Sequence, residues 1–147
     1  MFKKIVVGTD GSDTASQAVR QAVDIARALG AELELVSAYE PVPRQRLDAE
    51  RRQAPEDLQW AISPREEVDG VLEAAAELGH QVDIAVRTYA RQGDPADAIL
   101  DVAEEQEADL IVVGNKGMTG ARRFLLGSVP NKVSHHAPCS VLIVRTT

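Results

Sequence analysis

The chain predicts an α/β fold of a single domain, a doubly wound parallel sheet with helices on both faces. Three observations carry that reading. Short runs of aliphatic, often β-branched residues recur along the 147 residues. Segments whose apolar residues follow helical spacing stand between them. Strand and helix then alternate four times before a last strand, a pattern that places helices over both faces of a parallel sheet. A chain of this length buries roughly 70 % of the surface it would expose unfolded, enough for one substantial core.

Lys4 to Val7 is the first strand, ending at Gly8-Thr9-Asp10. Ala18, Ala22, Ile25, Ala26 and Leu29 follow i, i+4, i+7, i+8, i+11, one apolar face of a helix closed by Gly30 at C′. Leu33 to Ala38 is the second strand. The segment 40–62 breaks the rhythm, rich in Arg, Gln, Pro and Glu with weak apolar periodicity, and reads as a long mobile loop. Ser63-Pro64-Arg65-Glu66 combines a capping box with proline at N1. It opens a helix whose face is Val68, Val71, Leu72, Ala75 and Leu78, closed by Gly79. Val82 to Val86 is the expected third strand. Asp94-Pro95 starts a third helix through Ala98, Ile99 and Val102, and Asp109 to Val113 is the fourth strand. The fourth helix runs from Ser128 to before Pro138, and Ser140 to Val144 is the last strand. Several of the strand runs are continuously apolar, as expected where both faces are covered.

Hydrophobic residues make up 44 % of the chain but aromatics only 3 %, so the core is expected to be aliphatic. A net charge of −7 argues against a non-specific nucleic-acid binder, which needs a basic face. The single cysteine fits a reducing compartment. The apolar run after Met1-Phe2-Lys3-Lys4 is too short for a signal-peptide core, and none approaches the ~20 apolar residues of a membrane helix. A soluble, cytoplasmic protein is expected.

The stretch from Ile111 to Val129 carries the functional signal. Gly114, Gly117, Gly127 and Ser128 recur as G-x2-G-x9-G-S, and the last pair opens a helix, where free amide N–H groups and the helix dipole favour phosphate. In a doubly wound sheet ligands bind beyond the carboxyl ends of the strands where strand order reverses. There Thr9-Asp10-Gly11-Ser12 would meet Val113-Gly114-Asn115-Lys116-Gly117, with the Asp10 carboxylate opposite the glycines. It would take a ribose hydroxyl or a Mg²⁺ held by the phosphates. Helix capping explains the same Asp-Gly-Ser pattern without a ligand, and αβ turns alone attract glycine. Against the latter stand the position of Gly127-Ser128 at a helix start and the local gathering of Lys116, Arg122, Arg123 and Lys132 in an acidic chain. Gly127 is expected near the surface. Neither G-x4-G-K-[ST] nor G-x-G-x-x-G after the first strand is present.

His135, His136 and Cys139 lack the further ligands of a metal site, and helix ends favour such side chains anyway. Tyr39 could border a base pocket or pack in the core. The arginines at 44, 46, 51 and 52 alternate with acids and read as a solvated face. No nucleophile–base pair with recognisable spacing appears, so binding chemistry outweighs catalytic chemistry.

With these residues placed, the chain resembles the ATP-binding class of universal stress proteins. The resemblance covers nearly the whole chain, through KKIVVGTDGSDTASQAV, GDPADAILDVAEEQEADLIVVGNKG and GSVPNKVSHHAPCSVLIV. It implies a Rossmann-like five-stranded sheet in the order 3-2-1-4-5 and a homodimer formed by antiparallel pairing of the last strand, Ser140 to Val144. It also implies that Asp10 contacts ribose or the metal–phosphate group and that main chain at Ala38 binds the adenine edge. Gly114, Gly117, Gly127, Ser128 and Val129 would cradle the phosphates, with Lys116 beside them. Thr9-Asp10-Gly11-Ser12 and the VLIVRTT ending also resemble an actinobacterial subgroup that prefers cyclic AMP. The expected function is therefore a homodimeric stress-response regulator that binds ATP with Mg. Cyclic-AMP binding, slow ATP hydrolysis and a ligand-free interaction module are the alternatives left open.

Overall fold

A computed structural model describes residues 1–39, 64–115 and 127–146. They form strands β1 (Lys4–Gly8), β2 (Glu32–Tyr39), β3 (Val86–Gln92), β4 (Leu110–Gly114) and β5 (Ser140–Val144). Helices α1 (Asp13–Leu29), α2 (Pro64–His80), α3 (Pro95–Glu105) and α4 (Ser128–His136) alternate with them. All pairings are parallel, as the alternation of strands and helices predicts, and the sheet order is β3-β2-β1-β4-β5, as the family resemblance implies. The register runs Gly8 beside Val36 and Val7 beside Val112, so β1 lies at the centre.

Strand alternation divides the core into two layers. Ile5, Val7, Leu33, Leu35 and Val112 pack against α1 and α2. Val6, Val36, Ile111 and Val113 pack against α3 and α4. The central strands are buried on both faces, which explains their unbroken apolar runs. Two polar side chains of β2 break this rule: Ser37 is buried, and Glu34 is fully buried with neither carboxylate oxygen in a hydrogen bond of good geometry, while burial and the nearby Glu34 carboxylate push the Tyr89 phenol up.

Helix starts follow the side chains that cap them. Ser12 caps α1 through Ala15 N, and Asp94 caps α3 through Asp97 N with Pro95 at the first turn. Gly30 closes α1 in the left-handed conformation.

Three expectations need correction. The third strand is Val86–Gln92, and only Val86 of the expected 82–86 run belongs to it. As an edge strand it is poor in apolar residues, whereas Val82 and Ile84 lie in the preceding connection and pack on the core from there. The buried face of α1 is Ala18, Val19, Ala22, Val23 and Ala26, while Leu29 at the last turn is exposed. Gly79 does not end α2, which continues to His80. A Cβ on Gly79 would stand 2.5 Å from Val86 Cγ2, so the glycine permits close approach of α2 to the start of β3. The 40–62 loop expectation and the Ser63 half of the capping box lie outside the described residues.

Candidate ligand site at the switch point

Successive connections from β1 lead to β2 and β3 on one side of the sheet, then cross to β4 and β5 on the other. Strand order therefore reverses between β1 and β4. The chain leaves β1 into α1 on one face and reaches α4 on the opposite face, and in doubly wound sheets ligands bind beyond the carboxyl ends of the two strands at such a point.

The β1–α1 turn is held by its own side chains. Thr9 is buried, donates its N–H to Val36 O at 2.9 Å, and accepts from Gly11 N on Oγ1 at 3.1 Å. The half-buried Asp10 accepts from Ser12 N on Oδ1 at 2.9 Å, an Asx turn. Ser12 Oγ accepts from Ala15 N at 3.2 Å. Gly11 has φ +82°, and a Cβ there would stand 2.9 Å from Val71 Cγ2 of α2. The turn thus needs glycine for its backbone and for the approach of α2. Beside it a cavity of about 590 Å³ opens between α1 and α2, walled by Val19, Val71, Ala74 and Leu78, with Arg20 and Glu67 among its lining.

The β4–α4 junction is built differently. Val113 is buried at the end of β4 and Gly114 is half-buried. Gly127 occupies the N-cap of α4 at φ −63°, ψ 164° and supplies no side-chain cap. Ser128, the first helical residue, is exposed, and Val129 behind it is buried. The amides of the first turn of α4 are therefore left without a side-chain partner at the N-cap, at the carboxyl end of a central strand. Gly127 itself is buried, not near the surface as expected, and its N–H donates to Asn115 O at 3.0 Å.

Asn115 was not singled out by the sequence reading, yet four hydrogen bonds converge on it. Its N–H donates to Val144 O at 2.8 Å and its carbonyl accepts from Gly127. Its Oδ1 accepts both Thr146 N at 2.8 Å and Thr146 Oγ1 at 2.9 Å. No local pattern announces such a tie, since its partners are 12 to 31 positions away.

Ala38 is half-buried on β2, two positions beyond the residue paired with Gly8 and on the α3–α4 side of the sheet. Lys132 is engaged elsewhere: its Nζ lies 2.8 Å from Asp97 Oδ1 and 3.5 Å from Asp94 Oδ2, at the start of α3. Tyr39 accepts from Arg65 Nη1 at 3.2 Å, with the guanidinium 5.5 Å from its ring centre. Lys116, Gly117, Arg122 and Arg123 lie outside the described residues. His135 and His136 are exposed, and burial pushes the Cys139 thiol up, keeping it protonated. Among the described residues no group of three His, Cys, Asp or Glu could hold a metal, and no helix is long and apolar enough to cross a membrane.

The chain is similar to known proteins in sequence and in fold. The chain is 40 % identical over 147 residues to the universal stress protein Rv1636 of Mycobacterium tuberculosis, covering 99 % of this chain and 98 % of that one. A solved structure of a universal stress protein in complex with cAMP superposes with a TM-score of 0.75 at 32 % identity, covering 99 % and 98 % of the two chains. The universal stress protein of Archaeoglobus fulgidus in complex with dAMP gives a TM-score of 0.68 at 26 % identity over 98 % of each chain. The universal stress protein family matches residues 1–145. Switch-point architecture, glycine spacing and these relatives agree: the chain belongs to the universal stress protein family.

Proposed function

We propose that the chain binds an adenine nucleotide, ATP with Mg²⁺ or cyclic AMP, in the crevice between the ends of β1 and β4, and acts as a homodimeric stress-response regulator in the cytoplasm. The observation that carries this reading is the uncapped start of α4 at the switch point, with Gly127 in the N-cap where α1 and α3 carry Ser12 and Asp94. Phosphate oxygens would accept from the first-turn amides around Ser128 and Val129, in the field of the helix dipole. Gly114 and Gly117 would let the backbone approach, with Lys116 beside them. Adenine would lie toward Ala38, above Val36 and Val113.

The donor set fits such a ligand. Asp10 presents a half-buried carboxylate of which one oxygen holds Ser12 N, so it offers a single oxygen to a ribose hydroxyl or to a metal ion. One carboxylate suits Mg²⁺ whose other ligands are phosphate oxygens and water. Thr9, Gly11, Ser12 and Val113 shape the walls of the site. The cAMP and dAMP complexes of the two structural neighbours support an adenine ligand, and the cAMP complex keeps cyclic AMP beside ATP as the second reading. Exposed Leu142 and Ile143 on the edge strand β5 support pairing of Ser140 to Val144 with a second copy.

Displacement of a fluorescent ATP analogue from nucleotide-stripped protein tests the ligand. ATP and cyclic AMP should each displace it fully, and guanine nucleotides should not. Equal displacement by all nucleotides, or none, would reject the adenine reading. Sedimentation of wild type beside Leu142→Glu tests the dimer. The wild type should sediment as two chains and the variant as one.

A further inference from the structure

We propose that Asn115 and Thr146 form a positioning pair that presets the start of α4 for the phosphate group, tying nucleotide affinity to the tail that follows β5. This rests on the nucleotide reading above. The pair joins three separate parts of the chain. Asn115 follows β4 directly, Gly127 opens α4, and Thr146 lies just beyond β5. Through Asn115 the carbonyl of the first accepts from the second at 3.0 Å, while its side-chain oxygen takes two donors from the third at 2.8 and 2.9 Å.

Burial gives these bonds their weight. Thr146 is a buried polar residue, only 7 % exposed, and Asn115 is half-buried. A buried hydroxyl that loses its acceptor keeps its desolvation cost, so the tail has one favourable seat, on Asn115. The Asn115 side chain is held from the tail and its N–H from Val144, which fixes the carbonyl that receives Gly127 N–H. Gly127 lacks a side chain with which to fix its own position at the N-cap. An anion seat built from backbone amides gains affinity from being set before the ligand arrives. Asn115 and Thr146 supply that setting without touching the phosphate, and the adenine side of the site, toward Ala38 on β2, is independent of them.

The test compares a ligand with phosphate and one without. ATP and adenosine are titrated into nucleotide-stripped wild type, Thr146→Val, Thr146→Ser and Asn115→Ala. Thr146→Val keeps the size and the main-chain bond and loses only the hydroxyl. It should weaken ATP about fivefold, the worth of one hydrogen bond, and leave adenosine unchanged. Thr146→Ser should restore ATP binding, and Asn115→Ala should weaken ATP further. Wild-type affinity for ATP in a folded Thr146→Val would overturn the proposal, as would an equal loss for ATP and adenosine, which marks general loosening. If wild type bound neither ligand, the nucleotide reading itself would fall and this proposal with it. If wild type bound both and only the variants behaved otherwise than stated, the proposal alone would fall.

Discussion

The starts of α1 and α4 stand at the carboxyl ends of adjacent strands, and they solve the same problem in opposite ways. At α1 the side chains of Thr9, Asp10 and Ser12 accept from Gly11, Ser12 and Ala15 within a few residues. The turn is closed by its own side chains. At α4 the cap is glycine, and the support for the junction comes from Asn115 and the tail beyond β5. Side chains that satisfy amides locally also block them. Moving the support behind the junction leaves the first-turn amides of α4 open to an anion.

Two substitutions in the sheet beneath both ends set the scale against which this contrast is read. Ile111→Ala removes a fully buried side chain facing α3 and α4 and should cost about 2–5 kcal/mol in denaturant unfolding. Both helix starts should survive in the folded fraction, with ATP affinity within about twofold of wild type. Loss of binding in well-folded protein would mean the crevice is not separable from the core. Glu34→Met replaces a buried carboxylate that has no hydrogen bond of good geometry and has Tyr89 acting on it nearby, and should raise stability by about 1–3 kcal/mol. A lower melting temperature would show that a partner for Glu34 exists in solution.

The next two act on the contrast itself. Gly127→Asp gives α4 the kind of cap that α1 and α3 already carry and places negative charge where phosphate would sit. ATP affinity should fall by about tenfold or more, roughly 1.4 kcal/mol. Unchanged affinity would break the comparison, because the start of α4 would then be no different from that of α1. Ser12→Ala opens the closed end instead. It should cost about 1 kcal/mol of stability and leave ATP binding nearly intact. A large loss of affinity would move Ser12 from capping into the ligand's contacts.

Much of this contrast was legible in the sequence, and the missing parts have a common cause. Buried central strands announce themselves by unbroken aliphatic runs, and Ser12, Asp94 and Pro95 announce helix starts by local chemistry. The spacing of Gly114, Gly127 and Ser128 pointed to the end of β4 and the start of α4 as the candidate site. What escaped depends on distant neighbours. The edge strand β3 is polar because one side of it has no strand partner, so the apolar run just before it drew the assignment instead. Glu32-Leu33-Glu34-Leu35 alternates like a half-exposed strand, yet α3 covers the face of Glu34 and buries it. Lys132 looked like a phosphate cation until folding set Asp94 and Asp97 beside it. Asn115 offers no signal at all, since its role is made by Thr146 from the far end of the fold.

The central claim is that the uncapped start of α4 seats the phosphate of an adenine nucleotide. Calorimetric titration of nucleotide-stripped protein with Mg·ATP, repeated with the protein saturated in cyclic AMP and with Gly127→Asp, tests it most directly. The account predicts saturable binding by wild type at one site per chain, abolished by cyclic AMP and weakened in the variant. Absence of heat at several temperatures, or ATP binding untouched by both cyclic AMP and the aspartate, would contradict it.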